Sequence, residues 1–142
     1  IKAGKLKSLI HNSMTASYFK TRSTGNAKRG PRSALGVGLH QLEIAAGDAE
    51  DKELHGGEYL MLTDLTGMHS GANAISGEFS FGASGYLCEN GERCQSVRNV
   101  TVAGNFYKML QNINMIGSRQ HWNWQRSALM PSIRFSDVAI SG

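Results

Sequence analysis

The 142-residue sequence predicts an α+β fold: a predominantly antiparallel β-sheet, barrel-like or sandwich, with two or three short helices. Three observations carry that expectation. Seventeen glycines with only 18% charged residues suit a chain of many turns rather than a helical bundle. Short alternating or apolar runs separated by turn residues recur along the whole length. Asn90-Gly91, inside "YLCENGERC", is the strongest short hairpin signal, because a type I′ turn needs positive φ at both central residues. The length suits one core, so residues 1–142 are expected to form a single domain. Ile1 already belongs to an alternating pattern, which predicts a piece of a longer chain.

The elements follow in order. "IKAGKLKSLIH" predicts a strand end, a turn at Ala3-Gly4 and a strand from Leu6 to His11. "SMTASYFKT" predicts a short helix capped by Ser13. "STGNAKRGPR" is a loop punctuated by Gly25, Gly30 and Pro31. In "GLHQLEIA", Leu39, Gln41 and Glu43 alternate with His40, Leu42 and Ile44, the pattern of a half-buried strand. "GDAEDKELHGG" predicts a helix capped by Asp48, with acids in its first turn and Gly56 at its end. "EYLMLTDL" is an apolar strand, and "MHSGANAISGEFSFG" a glycine- and serine-rich connection running into the next one.

The hairpin follows. With Asn90-Gly91 as its turn, Cys88 faces Arg93 and Cys94 faces Leu87, so the two thiols project from opposite faces unless a bulge intervenes. That geometry disfavours a disulfide, and the spacing is not that of a C-x-x-C zinc knuckle. Both are expected to be reduced thiols. "VRNVTVAG" is another strand; "NFYKMLQNI" is a helix with Asn105 as N-cap and Phe106, Met109, Leu110 and Ile113 at helical spacing. "HWNW" (121–124) sits in a polar, loop-like stretch. "SALMPSIRFSDVAISG" closes with strand character, and Pro131 places it at a sheet edge or strand start. Edges of this kind invite pairing with another chain or an extended peptide.

The chain offers no self-contained catalytic constellation. His11, His40, His55, His69 and His121 are scattered, with no pair at H-E-x-x-H spacing. A nucleophile elbow and a phosphate-binding loop are both missing from the sequence. No run of eighteen apolar residues predicts a membrane span. The net charge of +4 gathers in Lys2, Lys5, Lys7 and the stretch "KTRSTGNAKRGPR" (20–32). A basic loop can hold nucleic acid, yet no aromatic residue interleaves with those charges to stack on bases, so a solvated loop is expected. In "SGANAISGEFSFGASG" (70–85), Gly71, Gly77, Gly82 and Gly85 leave main-chain groups open to close approach. They can serve a partner or substrate surface, or only bulges and turns.

"STGNAKRG" (23–30), "SGEFSFGASGYLCENGE" (76–92), "VRNVTVAGNFYKMLQNI" (97–113) and "PSIRFSDVAISG" (131–142) appear in that order, and together they resemble the C-terminal domain of the TldD/PmbA family, its PmbA (TldE) branch in particular. The resemblance implies a cytoplasmic protein. It implies a TldD/TldE-like complex in which two related subunits cleave unfolded peptides inside a closed cavity, with zinc in the TldD-type partner. That partner holds zinc through an H-E-x-x-x-H helix and a later Cys. The helix would lie upstream of Ile1; no Cys follows Gly117. The expectation is therefore a non-catalytic TldE-type component, with no cofactor and no catalytic or metal-binding residue of its own. Its partner would be a TldD-type subunit or a second copy. Gly71, Gly77, Phe79, Phe81, Gly82, Ser84 and Gly85 would face the partner or the substrate cavity. Two alternatives stay open: an active zinc metallopeptidase whose ligands lie partly in an N-terminal half, and a nucleic-acid- or gyrase-associated binding protein.

Overall fold

The computed structural model describes residues 1–2 and 4–142. Twelve elements follow in order: α1 (Ser13–Tyr18), β1 (Ala27–Lys28), β2 (Gly36–Val37), β3 (Leu42–Glu43), α2 (Asp51–Leu54), β4 (Glu58–Thr66), β5 (Glu78–Glu89), β6 (Glu92–Asn105), α3 (Phe106–Gln111), β7 (Ile113–Trp122), β8 (Ala128–Phe135) and β9 (Ala139–Ser141). The predicted α+β class with a mostly antiparallel sheet and three short helices is what the structure shows, in open, sandwich-like sheets rather than a closed barrel. The chain divides into two compact units: residues 1–43 with 122–129, and residues 44–121 with 130–142.

In the first unit, local hydrogen bonding decides where α1 begins. The cap is Asn12, not Ser13: the Asn12 carboxamide oxygen accepts from the Thr15 amide at 2.8 Å, and the Asn12 amide donates to the Thr15 hydroxyl at 3.1 Å. This reciprocal pair satisfies two otherwise orphaned donors. Asn12 is buried and also donates to the Gly36 carbonyl at 3.1 Å, so the cap ties α1 to β2. The predicted loop over 23–32 contains β1, which pairs antiparallel with β2 as a two-residue ribbon. The predicted strand from Leu6 to His11 has no ladder, and the one over 39–44 shrinks to Leu42 and Glu43, which pair in parallel with Ala128 and Leu129. Leu39 and Leu42 are exposed, not half-buried: alternation marks a strand, but nothing within this unit covers the apolar side. The predicted turn at Ala3-Gly4 falls partly on Ala3, which lies outside the described residues; Gly4 has a φ of +71°.

The second unit is built on the sheet β4-β5-β6-β9, antiparallel throughout. Asn90 and Gly91, with φ of 50° and 90°, form the predicted turn between β5 and β6. Cys88 faces Arg93 as expected, but Leu87 faces Gln95, not Cys94, because the ladder slips by one residue there and Cys94 is the extra one. Both thiols are free, Cys88 buried and Cys94 exposed. A second slip separates the pairs Ala83–Val100 and Gly85–Val97; Asn99, at φ 56°, lies within it. A third, in β4, leaves Thr63 out of the ladder, where its hydroxyl donates to the Ser84 carbonyl at 3.3 Å. Such slips twist and bend long strands, and here two interrupt the β5–β6 ladder and one the β4–β5 ladder. Phe79, Phe81 and Ala83 share one face of β5, with Val102 opposite Phe81 and Leu65 opposite Ala83. Ala83 and Val102 are buried, and the two Phe rings stack at 5.2 Å.

Around that sheet, four expectations need correction. The cap of α2 is Glu50, two residues past Asp48, with its amide held by the Glu53 carboxylate at 3.1 Å. Ile113 opens β7 instead of closing α3, since Asn112 ends the helix. "HWNW" is not all loop: β7 runs to Trp122. Pro131, expected at a sheet edge or strand start, instead lies inside β8, which has a neighbour on each side; it sits just past the two residues that β3 pairs, so its missing N–H costs nothing on that side. The β8 side chain Arg134 reaches the start of β4, donating to the carbonyls of Leu54 (3.2 Å), Gly56 (2.7 Å) and Glu58 (3.2 Å), with its guanidinium 5.3 Å from the Tyr59 ring centre.

Tyr59 faces Cys88 across the β4–β5 ladder. Burial raises its phenol above the ordinary 10.0; the neighbouring Cys88 thiol adds to the rise, and Arg134 and Arg93 oppose it. The unfolded chain returns this phenol to about 10, so the folded state holds the proton more tightly. The stabilisation is complete below pH 10 and is lost as the pH rises through the folded value. Denaturant unfolding between pH 8 and pH 11 is expected to show a steeper alkaline loss of stability in the wild type than in Tyr59→Phe; parallel profiles would contradict it.

Candidate functional site

The loop between β4 and β5 is unusual in how fully its backbone is tied. Gly67 bends the chain, and its carbonyl accepts from Ser70 and Gly71 at 3.2 and 2.8 Å. Gly71 and Asn73 then run back along β5: the Ser80 amide donates to the Gly71 carbonyl at 2.7 Å and the Asn73 amide to the Glu78 carbonyl at 2.8 Å. The loop thus takes over beside β5 where β4 stops at the Thr66–Gly82 pair. The Asn73 side chain accepts from the amides of Ile75 (2.9 Å) and Ser76 (3.2 Å), a local turn of the kind Asn favours. Gly77, at φ +79°, brings the chain into β5 with the Tyr107 ring against it, so no side chain fits there.

Asn105 joins this loop to α3. As the sequence predicts, its carboxamide oxygen caps the helix, accepting from Tyr107 and Lys108 at 3.1 and 3.3 Å. Its NH2 group points the other way and donates to the Ser76 carbonyl at 2.8 Å. Two flanking bonds close the join: the Phe106 amide to the Gly77 carbonyl at 2.7 Å, and the Tyr107 hydroxyl to the Ala74 carbonyl at 2.8 Å. Only a side chain carrying both an acceptor and a donor at its tip can do what Asn105 does.

The loop forms one wall of an open groove of about 1160 Å³ in the second unit. Its floor is a cross-strand row of small residues, Ser80, Ala103 and Ala139, with Glu78 and Asn105 at one end. These lie on the opposite face of the sheet from Phe79 and Phe81. Ile75, 93% exposed, stands on the wall. The floor can accept an extended chain closely, because nothing larger than a methyl or hydroxymethyl group rises from that row.

Of the residues singled out from sequence, Gly71 and Phe79 line the groove; Gly77, Phe81, Gly82, Ser84 and Gly85 do not. A side chain at Gly71 would meet the Ser80 carbonyl, at Gly82 the Thr66 hydroxyl, and at Gly85 the Met61 carbonyl. Close approach of neighbouring strands therefore accounts for these three. Sequence reasoning missed the floor residues Ser80, Ala103 and Ala139, which carry no chemical signal. It also missed the donor half of Asn105, for which the "GN" before an apolar helix signals only the cap.

Among the described residues no three His, Cys, Asp or Glu side chains gather at ligand spacing. No helix is long and apolar enough to cross a membrane.

The second unit is thus an open, mostly antiparallel sheet with a small-floored groove beside a clamped loop. The family model of the PmbA/TldA metallopeptidase C-terminal domain matches residues 1–142, and the chain belongs to this PmbA/TldD family. It is 33% identical over 120 residues to the metalloprotease PmbA of Escherichia coli O157:H7, covering 83% of this chain and 24% of that protein. It is 28% identical to the PmbA homologue of Buchnera aphidicola over 100% of this chain and 29% of that protein. The chain thus spans about a quarter of the length of the curated relatives it matches. Among solved structures, TldE from Thermococcus kodakarensis superposes with a TM-score of 0.83 at 28% identity, over 98% of this chain and 32% of that one. A Thermotoga maritima protein described as a candidate modulator of a DNA gyrase gives 0.84 at 32% identity, over 99% and 32%.

Replacing Asn105 separates its two jobs. Asn105→Asp keeps the cap acceptor and loses the donor to Ser76, whereas Asn105→Ala loses both. Thermal unfolding should show Asn105→Ala destabilised by about 1–2 kcal/mol. Limited proteolysis should cut the 70–77 loop faster in both variants; cutting unchanged in Asn105→Asp would contradict the clamp.

Proposed function

We propose that this chain is the C-terminal domain of a longer, PmbA/TldE-type subunit that helps to shape the peptide chamber of a cytoplasmic two-subunit metallopeptidase, without itself holding the catalytic metal. The groove is the observation that carries this reading. Its wall is clamped by Asn105 and its floor of Ser80, Ala103 and Ala139 suits an extended, unfolded peptide recognised through its main chain. Gly71 and the main chain of Phe79 meet the peptide or the partner directly, with the Phe79 ring on the other face of the sheet, while Gly77, Phe81, Gly82, Ser84 and Gly85 hold the strands that carry them. The two thiols support the same division of labour: Cys88 is buried in the hairpin and Cys94 lies at its bulge, far in sequence from the end of the chain where the partner type carries its ligand. Zinc then belongs to a TldD-type partner, and this chain contributes binding and exclusion of water.

Such a subunit binds no stoichiometric zinc in full-length form and cleaves unfolded peptides only when mixed with a TldD-type partner. Metal analysis and a peptide-cleavage assay, on the full-length protein alone and mixed, check both points. Enlarging the floor with Ala103→Leu should lower cleavage by the mixture at least tenfold with unfolding temperature little changed. Zinc held by side chains of this chain, or cleavage by it alone, would overturn the reading.

A further inference from the structure

The charges of the chain are divided between its two units. The first unit holds nine Lys and Arg residues against one acid, Glu43; the second holds six against ten. All nine cations are exposed. Among the described residues the single ion pair is Arg119 with Asp51, in the second unit, so none of the nine has a carboxylate partner. A surface of this kind draws polyanions.

The same unit leaves its large aromatic side chains in solvent: Trp124 is 90% exposed, Tyr18 80% and Phe19 62%. Trp124 and Arg126 share the turn between β7 and β8. The Asn123 side chain closes that turn, accepting from the Ser127 and Ala128 amides at 2.8 and 3.1 Å and donating to the Ser127 hydroxyl at 2.9 Å. The indole therefore stands on a fixed main chain without being packed. At the end of α1 the rings of Tyr18 and Phe19 meet edge to face at 4.9 Å, and Lys20 and Arg22 follow directly. The basic stretch 20–32 holds no aromatic residue, but this pair stands immediately before it. Hydrogen bonds fasten these pieces into one unit. The Thr24 and Asn26 amides donate to the His11 carbonyl at 3.1 and 3.2 Å, which sets the basic stretch beside α1. The Leu42 amide donates to the Ser127 carbonyl at 2.9 Å, and the Gln41 side chain to the Arg126 carbonyl at 3.4 Å, which holds the Trp124 turn.

Exposed rings among unpaired cations suit a single strand of nucleic acid, whose phosphates take the cations and whose unpaired bases offer flat faces to the rings. An acidic peptide matches the cations, but its carboxylates offer no such face. Reading a duplex groove takes a helix or ribbon that can enter it, and here α1 has six residues and β1 and β2 two each. We propose that the first unit binds single-stranded nucleic acid with little sequence preference: Lys20, Arg22, Arg29, Arg32 and Arg126 hold phosphates, and Trp124 and the Tyr18–Phe19 pair stack on bases. This activity goes beyond the metallopeptidase reading and does not rest on it, since the groove belongs to the second unit.

The test is fluorescence anisotropy with the full-length protein and a labelled oligothymidylate of about 20 nucleotides, a length that spans more than one stacking site. The wild type should bind at low salt, with log affinity falling linearly as log salt rises. Trp124→Ala should weaken binding about fivefold or more, with the salt slope unchanged because no charge is removed. Arg29→Ala/Arg32→Ala should weaken binding and flatten the slope by about one or more. No binding at low salt, or Trp124→Ala binding as tightly as the wild type, would overturn the proposal. So would polyglutamate displacing the labelled strand as readily as unlabelled oligothymidylate does, which would make the surface a site for acidic peptides.

Discussion

The geometry of the groove depends on one carboxamide. Asn105 ends β6 and starts α3, and its side chain bonds in two directions, oxygen to the first turn of the helix and nitrogen to the carbonyl of Ser76. Each bond is ordinary in strength, of the order of 1 kcal/mol net. Their effect is larger than their sum because they join segments 29 residues apart in sequence and leave the loop few other arrangements. The Gly77–Phe106 and Ala74–Tyr107 bonds fall into place once that join is made. The wall of the groove is therefore as ordered as the sheet beneath it, which keeps the entropic cost of binding low for whatever occupies it.

The sheet contributes a second constraint. β5 and β6 are long enough to twist strongly, and their slips near Leu87 and Ala83 absorb that twist where residues pack tightly. Gly85 lies against the Met61 carbonyl and Gly82 against Thr66, so strand approach, not backbone freedom, selects glycine at both. Past Gly82 the ladder is regular again, and it is there that Ser80, Ala103 and Ala139 align into the groove floor.

Much of this was legible in the sequence where a local signal and the tertiary structure agree. Asn90-Gly91 fixes its turn by φ alone, Asn105 caps its helix by a bond within four residues, and "EYLMLTDL" is apolar enough to be a strand in any setting. The failures have a common cause. Leu39 to Ile44 alternates as a strand does, but its pairing partner offers only two residues, and Leu39 and Leu42 stay exposed. Ser13 and Asp48 are good caps by type, yet Asn12 and Glu50 hold the bonds because the preceding chain turns there. β7 hides behind polar residues because its neighbours, not its composition, make it a strand. The groove floor was invisible because Ser and Ala are unremarkable until three strands set them in a row. The charge division between units was equally hidden, since a net charge of +4 averages a basic unit and an acidic one.

The central claim is that Asn105 makes the loop a fixed wall. Amide hydrogen exchange on the intact protein tests it most directly, at Gly71, Asn73, Gly77 and Phe106, whose N–H groups all bond to main-chain carbonyls at 2.7–2.8 Å. The account predicts that these four exchange slowly, at rates close to those of the β5–β6 ladder. Exchange at the rate of an unstructured peptide, with the ladder still protected, would contradict it.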